Sequence, residues 1–125
     1  IPHPFGLIQK KVMMNFGGIP VWRTKSTGVT QQVIDELRTK DKFILYLTVE
    51  GLMHTNKTIK SGFYYIGKEL DASIVPTKID YKNRRFELME EYNLTDSLEN
   101  DKNALMNVYH MVEGRNKTFY KPDRK

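Results

Sequence analysis

The stretch that decides the predicted fold is Phe43-Ile44-Leu45-Tyr46-Leu47-Thr48-Val49, in which Thr48 interrupts an otherwise apolar run. An apolar run without polar alternation is typical of a strand that is buried on both faces, as in a parallel sheet. The run is far shorter than the roughly 20 apolar residues that a membrane-spanning helix needs. We therefore predict that residues 43–49 form a buried strand.

Helices and shorter strands are predicted on both sides of this run. Helical spacing of apolar residues predicts four helices, over residues 5–16, from a cap at Ser26 or Thr27 to residue 39, from a cap at Ser61 to residue 70, and over residues 98–113. Strand patterns cover residues 19–23, 74–81 and 84–89, the last two being joined as a hairpin by a turn around Lys82 and Asn83. This order predicts an α/β fold with a mostly parallel sheet flanked by helices.

The helix ends and the core-facing residues also follow from the pattern. Gly17-Gly18 is expected to end the first helix and Gly114 the last, because glycine tolerates the backbone conformation of a helix C-terminus. The residues expected to face the core are Val29, Val33, Ile34 and Leu37 in the second helix, Phe63, Ile66 and Leu70 in the third, and Leu98, Leu105, Val108, Met111 and Val112 in the last.

Length and composition limit the organisation and the chemistry. A chain of 125 residues is long enough for one domain and too short for two, so we predict one α/β domain over residues 1–114 and a basic tail over residues 115–125. Because the chain begins at Ile1 and not at a methionine, we expect a fragment or a processed product with an incomplete sheet. The sequence has no cysteine, which excludes disulfides and thiolate chemistry. Near His54 no second ligand stands at metal-binding spacing, so no metal site is predicted.

The net charge of +5 is concentrated at the two ends of the chain. Residues 1–34 carry four basic residues and no acidic one, residues 35–114 carry more acidic than basic residues, and residues 115–125 carry five basic residues against Asp123. This distribution lacks the dense basic face with interleaved aromatic residues that a nucleic-acid-binding domain shows. We predict no nucleic-acid partner, and an anionic lipid surface or a phosphorylated substrate fits the charge at least as well.

The first predicted helix has two interpretations. Phe5, Ile8, Val12 and Phe16 lie near one face of it, and Lys10 and Lys11 lie elsewhere on its circumference. This pattern fits a helix that packs on a core, and it also fits an interfacial helix that lies on a membrane.

Two candidate site positions follow predicted strands. Binding sites of open α/β sheets lie beyond the carboxyl ends of the strands, where Arg23 ends one predicted strand and Glu50-Gly51 follows another. A guanidinium held at a sheet edge binds phosphate through two hydrogen bonds. Each residue also fits an ordinary solvated strand end, so neither pattern identifies a site by itself.

Four segments together resemble the phospholipid and glycerol-phosphate acyltransferase superfamily, of the 1-acylglycerol-3-phosphate acyltransferase type. They are Gly18-Ile19-Pro20-Val21-Trp22-Arg23 for the family's Gly-Ile-Pro-Val-x-Arg, Thr48-Val49-Glu50-Gly51-Leu52-Met53 for its Phe-Pro-Glu-Gly-Thr-Arg, Lys60-Ser61-Gly62-Phe63-Tyr64-Tyr65-Ile66 for its helix, and Ile74-Val75-Pro76 for its next strand. The resemblance keeps the family's order and spacing over about residues 4–81.

The resemblance implies acyl transfer from acyl-CoA or acyl carrier protein to the hydroxyl of a lysophospholipid or glycerol phosphate. It gives Arg23 the acceptor phosphate, and Glu50 and Gly51 the shape of the acceptor pocket. Lys57 or Lys60 is a candidate to supply the phosphate contact of the family arginine that Met53 replaces, and Lys60 is counted among the binding residues. The acyl donor is a co-substrate, and no bound cofactor is implied. The resemblance further implies a role in phospholipid synthesis and peripheral association with the cytoplasmic side of a membrane.

The chain departs from the family in its catalytic residues. The family's general base belongs to a His-x4-Asp motif, whereas His3, His54 and His110 are each followed five residues later by a residue other than aspartate. Val49 and Met53 replace the family's proline and arginine in the second segment. Two interpretations follow: the acceptor-binding part of an acyltransferase whose base lies outside this chain, or a non-catalytic phospholipid- or phosphate-binding remnant of the same fold.

Overall fold

The structure is a computed structural model that describes residues 4–21, 28–48 and 59–109. These residues form both helices and strands, which confirms a mixed α/β class. In chain order the elements are α1 (Pro4–Asn15), α2 (Val29–Leu37), α3 (Gly62–Leu70), β1 (Thr77–Asp80), β2 (Arg85–Leu88) and α4 (Leu98–Val108). The chain divides into two compact units, Ile1–Phe43 with α1 and α2, and Ile44–Lys125 with the remaining elements.

The end of α1 is a hydrogen-bonded cap that depends on two glycines. The amide of Gly18 donates to the carbonyl of Met13 at 2.8 Å, and the amide of Gly17 donates to that of Met14 at 3.0 Å, which is the Schellman pattern. Gly17 has a φ of 83°, where a side chain is strained. A Cβ on Gly18 would lie 2.7 Å from the Met13 oxygen. The prediction that Gly17-Gly18 ends this helix is confirmed.

The beginning of α2 differs from the predicted one. The N-cap of the helix is Gly28, in an extended conformation and without a side-chain hydrogen bond, whereas the sequence predicted a cap at Ser26 or Thr27. The carbonyl of Gly28 accepts from the amide of Gln32 at 3.2 Å, so the backbone alone starts the helix. Residues 22–27 lie outside the described ranges. Of the predicted core face, Ile34 and Leu37 are buried, while Val29 is exposed.

The core of the second unit forms around α3 and α4. Ile59, Phe63 and Leu105 are buried together, and five partly buried side chains pack against them: Tyr64, Ile74, Leu94, Met106 and Tyr109. Phe63 and Ile66 were predicted on the inner face of α3 and are buried, which confirms that face. α4 ends at Val108 with Tyr109 as its C-cap, earlier than the predicted residue 113, and Met111, Val112 and Gly114 lie outside the described residues.

The predicted hairpin is confirmed. β1 and β2 pair antiparallel, with Ile79 opposite Phe86 and Asp80 opposite Arg85. The Asp80 carboxylate holds the turn, because it accepts from the backbone amide of Asn83 at 3.1 Å and from its side-chain amide at 2.8 Å. Arg84 completes the turn with a φ of 51°.

The predicted buried strand at residues 43–49 is wrong for the residues that the structure describes. Residues 43–48 form no strand, and Ile44 and Tyr46 are 101 % and 70 % exposed. Residues 18–21, in the region of the other upstream strand, also have no regular structure. β-pairing within the described ranges is antiparallel, between β1 and β2 and at the isolated bridge of Ile74 with Tyr92. An apolar run indicates that its residues tend to be buried. A strand also requires a neighbouring strand with which its backbone can form hydrogen bonds.

Candidate functional site

Most of the candidate site residues lie outside the described part of the chain. Arg23, Glu50 and Gly51 belong to residues 22–27 and 49–58, as does His54. Lys60 is described, and it lies immediately before α3. The region that the structure shows in detail is therefore the N-terminus of α3 with Lys60 beside it.

The N-terminus of α3 is preceded by a buried residue and then by an exposed one. Ile59 is 2 % exposed and belongs to the core, whereas the next residue, Lys60, is exposed. The carbonyl of Ser61 accepts from the amides of Tyr64 and Tyr65 at 3.1 and 3.4 Å, which starts the helix. The buried isoleucine thus fixes the chain at the point where the lysine projects from it.

Ser61 occupies the predicted cap position but does not act as a side-chain cap. Its φ of −80° and ψ of −5° are helical, and its hydroxyl makes no capping hydrogen bond, whereas capping serines have an extended backbone. The backbone amides of Gly62 and Phe63 lie in the first turn of α3, where amides have no hydrogen-bond acceptor within the helix. The first turn of α3 also contains no acidic residue. Amides at a helix N-terminus attract anions, so this end of α3 is suited to an anionic group.

Lys60 and Lys68 differ in their surroundings. The ammonium of Lys68, in the last turn of α3, lies 2.7 Å from the carboxylate of Asp96. That hydrogen bond raises the pKa of Lys68 and lowers the pKa of Asp96. No carboxylate within the described ranges forms an ion pair with Lys60. Lys68 is thus paired with Asp96, whereas Lys60, which precedes α3, has no carboxylate partner among the described residues.

The sequence interpretation missed a buried carboxylate in α4. Asp101 is 0 % exposed. Its oxygens accept from the Tyr92 hydroxyl at 2.7 Å, the Thr95 hydroxyl at 2.8 Å and the Thr95 amide at 3.0 and 3.2 Å. The hydrogen bond to Asp101, followed by burial, raises the pKa of Tyr92. Every partner belongs to the segment before α4, so the cluster ties this segment to the helix.

The position of Asp101 was visible in the sequence. Leu98, Leu105 and Val108 mark the inward face of α4, and residue 101 falls on that face at helical spacing. A carboxylate at such a position must be hydrogen-bonded when it is buried. Ser97 supports the same helix start, because its hydroxyl accepts from the amide of Asn100 at 3.3 Å. The cluster is structural, since its acceptor oxygens are occupied by the protein itself.

Comparison of the chain with protein-family models, with curated proteins and with solved structures finds no match. Among the described residues, no group of three or more histidine, aspartate or glutamate side chains is arranged to hold a metal ion. No helix in the same ranges has the length and apolarity required to cross a membrane. The resemblance to acyltransferases therefore rests on the four sequence segments quoted above.

Proposed function

We propose that this chain supplies the acceptor-binding part of a glycerolipid acyltransferase. The reaction transfers an acyl group from acyl-CoA or acyl carrier protein to the hydroxyl of a lysophospholipid or glycerol phosphate, at the cytoplasmic face of a membrane. The observation that carries the proposal is the occurrence of four family-like segments in the family's order, at residues 18–23, 48–53, 60–66 and 74–76. The proposal includes the family's mostly parallel sheet.

Each candidate residue has a role suited to its chemistry. Arg23 contacts the acceptor phosphate, because a guanidinium forms paired hydrogen bonds with phosphate oxygens. Glu50 and Gly51 shape the acceptor pocket. Lys60 adds a flexible cation in place of the family arginine that is Met53 here.

The described structure supports this proposal at the third and fourth segments. The segment at residues 60–66 begins a helix, α3, as its family counterpart does. Ile74, in the next segment, lies just before β1 and forms an isolated antiparallel bridge with Tyr92. Lys60 is exposed beside a helix end without acidic residues. Such an end favours a phosphate group.

The general base of the reaction is not in this chain. No histidine is followed by an aspartate at the family's spacing. Loss of a general base typically lowers a rate by about 10²–10⁴. We expect this chain alone to bind the acceptor without turning it over by the family's route.

A second candidate function is non-catalytic binding of a phospholipid or phosphate on the same scaffold. Val49 and Met53 favour it, because they replace two family residues next to the proposed acceptor pocket. The presence of the family's arginine and glutamate, as Arg23 and Glu50, favours the acyltransferase. Both candidates require recognition of a phosphate, and they differ in whether acyl transfer follows.

The test of acceptor recognition is calorimetric titration of the chain with a short-chain lysophosphatidate below its micelle concentration. The matched ligand is the monoacylglycerol with the same acyl chain, which lacks the phosphate. We expect binding of the first ligand, and binding weakened by roughly tenfold or more in Arg23→Ala because a charge-assisted contact is lost. Lys60→Ala is expected to weaken it less, and Lys42→Ala is the matched control.

Equal affinity for the phosphorylated and the unphosphorylated ligand would contradict phosphate recognition. An Arg23→Ala variant that binds like the parent would contradict the role given to this residue. Circular dichroism of each variant shows whether the helices are retained, which separates lost binding from lost folding.

A further inference from the structure

The exposed surface of α1 is apolar where a helix of a folded domain is usually packed. Met14, on another side of the helix, is 50 % exposed, and Val12, Met13 and Phe16 are 42 %, 53 % and 85 % exposed. At about 100° per residue, these three positions fall within about 100° of the helix circumference. Lys11, which is also exposed, lies about 100° beyond Val12, and the exposed Gln9 falls inside the arc. We name Lys11, Val12, Met13 and Phe16 the α1 surface.

The charge around the α1 surface restricts what can cover it. Residues 4–21 contain Lys10 and Lys11 and no acidic residue, and the first acidic residue of the chain is Asp35. Two copies of this surface would bring like charges together, which disfavours a symmetric pair. The occupant must therefore offer an apolar layer together with negative charge.

From these observations we infer that α1 docks in the plane of an anionic lipid bilayer, with Val12, Met13 and Phe16 in the acyl-chain boundary and Lys11 at the headgroups. A helix of 12 residues is too short to span a bilayer, but it is long enough to lie at its interface. The inference deepens the membrane association included in the proposed function, and it assigns that association to a surface.

The geometry at the end of α1 fits this orientation. Phe16 is the last residue before the glycine cap, and its amide still donates to the carbonyl of Val12 at 3.2 Å. The cap satisfies the carbonyls of Met13 and Met14 through Gly18 and Gly17. Unsatisfied backbone groups are costly in an apolar layer. Their pairing at this end lowers the cost of placing Phe16 there.

The test uses the full chain and vesicles without lysophospholipid. One set contains equal parts of phosphatidylcholine and phosphatidylglycerol, and the other contains phosphatidylcholine alone. Co-sedimentation gives the bound fraction, and the fluorescence of Trp22, which is the single tryptophan, gives an independent signal. We expect binding to the anionic vesicles to be stronger by roughly tenfold or more, because each basic residue near such a surface contributes a factor of roughly five.

Two variants and their matched controls locate the docking surface. Phe16→Gln removes the most exposed apolar side chain and is expected to weaken binding by roughly tenfold. Lys11→Glu reverses a charge, and we expect a loss of roughly tenfold or more. Leu88→Gln on β2 and Lys42→Glu are the controls, since both positions are exposed and lie outside α1. The controls are expected to bind like the parent.

Equal binding of parent, Phe16→Gln and Lys11→Glu would overturn the inference, as would binding to neutral and anionic vesicles alike. Self-association of the chain that disappears in Phe16→Gln would instead assign the surface to a second copy, and would equally overturn it. Vesicle binding without lysophosphatidate binding would leave the docking in place and contradict the proposed function. The reverse outcome would contradict the docking alone.

Discussion

At the scale of single residues, the most constrained side chain that the structure describes is Asp101. Its carboxylate is fully buried, and Tyr92 and Thr95 supply its donors. A buried carboxylate is costly unless several hydrogen bonds compensate for the lost water. The cluster therefore fixes the conformation of residues 92–97 relative to α4, at the cost of sensitivity to substitution.

Asp101→Ala is expected to destabilise the fold by about 3 kcal/mol, because it leaves the Tyr92 hydroxyl and the Thr95 amide without their acceptor. Glu99→Ala is the matched control, since Glu99 is an exposed acidic residue in the first turn of the same helix. Its loss is expected to cost less than about 1 kcal/mol. Urea unfolding followed by circular dichroism measures both, and equal free energies of unfolding for the two variants would contradict the role of the cluster.

Asp80 makes the β1–β2 turn dependent on pH. Hydrogen bonds from the side chain and then the backbone of Asn83 lower the pKa of Asp80 below its ordinary value of 3.8. The ionised carboxylate therefore stabilises the turn above pH 3.8, and this contribution is lost as the pH falls through the lowered pKa. We expect the Asn83 amide resonance to titrate with a midpoint below 3.8.

Asp80→Asn is the control for this titration, because it keeps an acceptor oxygen and removes the ionisation. In this variant the Asn83 amide resonance is expected to lose the acidic transition. A transition that persists in Asp80→Asn would show that another group titrates there.

At the scale of elements, two helix ends use the same left-handed conformation with different residues. Gly17 adopts it after α1 with a φ of 83°, and Asp71 adopts it after α3 with a φ of 48°. In both, the following residue closes the cap: Gly18 donates to Met13 at 2.8 Å, and Ala72 donates to Gly67 at 2.9 Å. Glycine has no steric cost in this conformation, whereas aspartate has a small one.

Substitutions at the two caps are expected to change the free energy of unfolding in opposite directions. Gly17→Ala is expected to destabilise the chain by about 1 kcal/mol, and Asp71→Gly to stabilise it by about 0.5 kcal/mol. Thermal unfolding followed by circular dichroism gives both signs. Asp35→Gly is the comparison for Asp71→Gly, because Asp35 is exposed inside α2 and glycine there is expected to destabilise. Destabilisation by Asp71→Gly would contradict the strain assigned to residue 71.

Three features that depend on neighbouring residues were predicted correctly from the sequence, whereas the predicted side-chain caps of α2 and α3, which are also local, were wrong. The glycine pair after α1, the inner face of α3 and the hairpin with its turn all follow from local chemistry. Residues 43–48 were misassigned because strand pairing depends on distant partners, which apolarity alone does not identify. Asp101 was missed because the inward face of α4 was assigned from its apolar residues alone, although residue 101 lies on that face. Of the four candidate site residues, Lys60 alone lies in the described ranges, where it is exposed as a binding residue requires.

At the scale of the whole molecule, the proposal assigns the binding of a lipid substrate to this chain and treats the acyl-transfer step separately. Basic residues are concentrated in residues 1–34 and 115–125, and the middle of the chain is acidic. The α1 surface belongs to the first unit, and the helix end beside Lys60 belongs to the second. The proposal assigns anionic lipid contact to the first and a phosphate group to the second, and no histidine of the chain has an aspartate at the spacing of the family's general base.

The measurement that tests the central claim most directly is an acyl-transfer assay on the full-length product of the encoding gene. It uses acyl-CoA or acylated acyl carrier protein as donor and lysophosphatidate or glycerol phosphate as acceptor. We predict formation of the acylated acceptor, at a rate that Arg23→Ala lowers by roughly tenfold or more through loss of the phosphate contact. Lysophosphatidate binding without any acyl transfer, from either donor to either acceptor, would contradict the acyltransferase and leave the non-catalytic phospholipid-binding protein in its place.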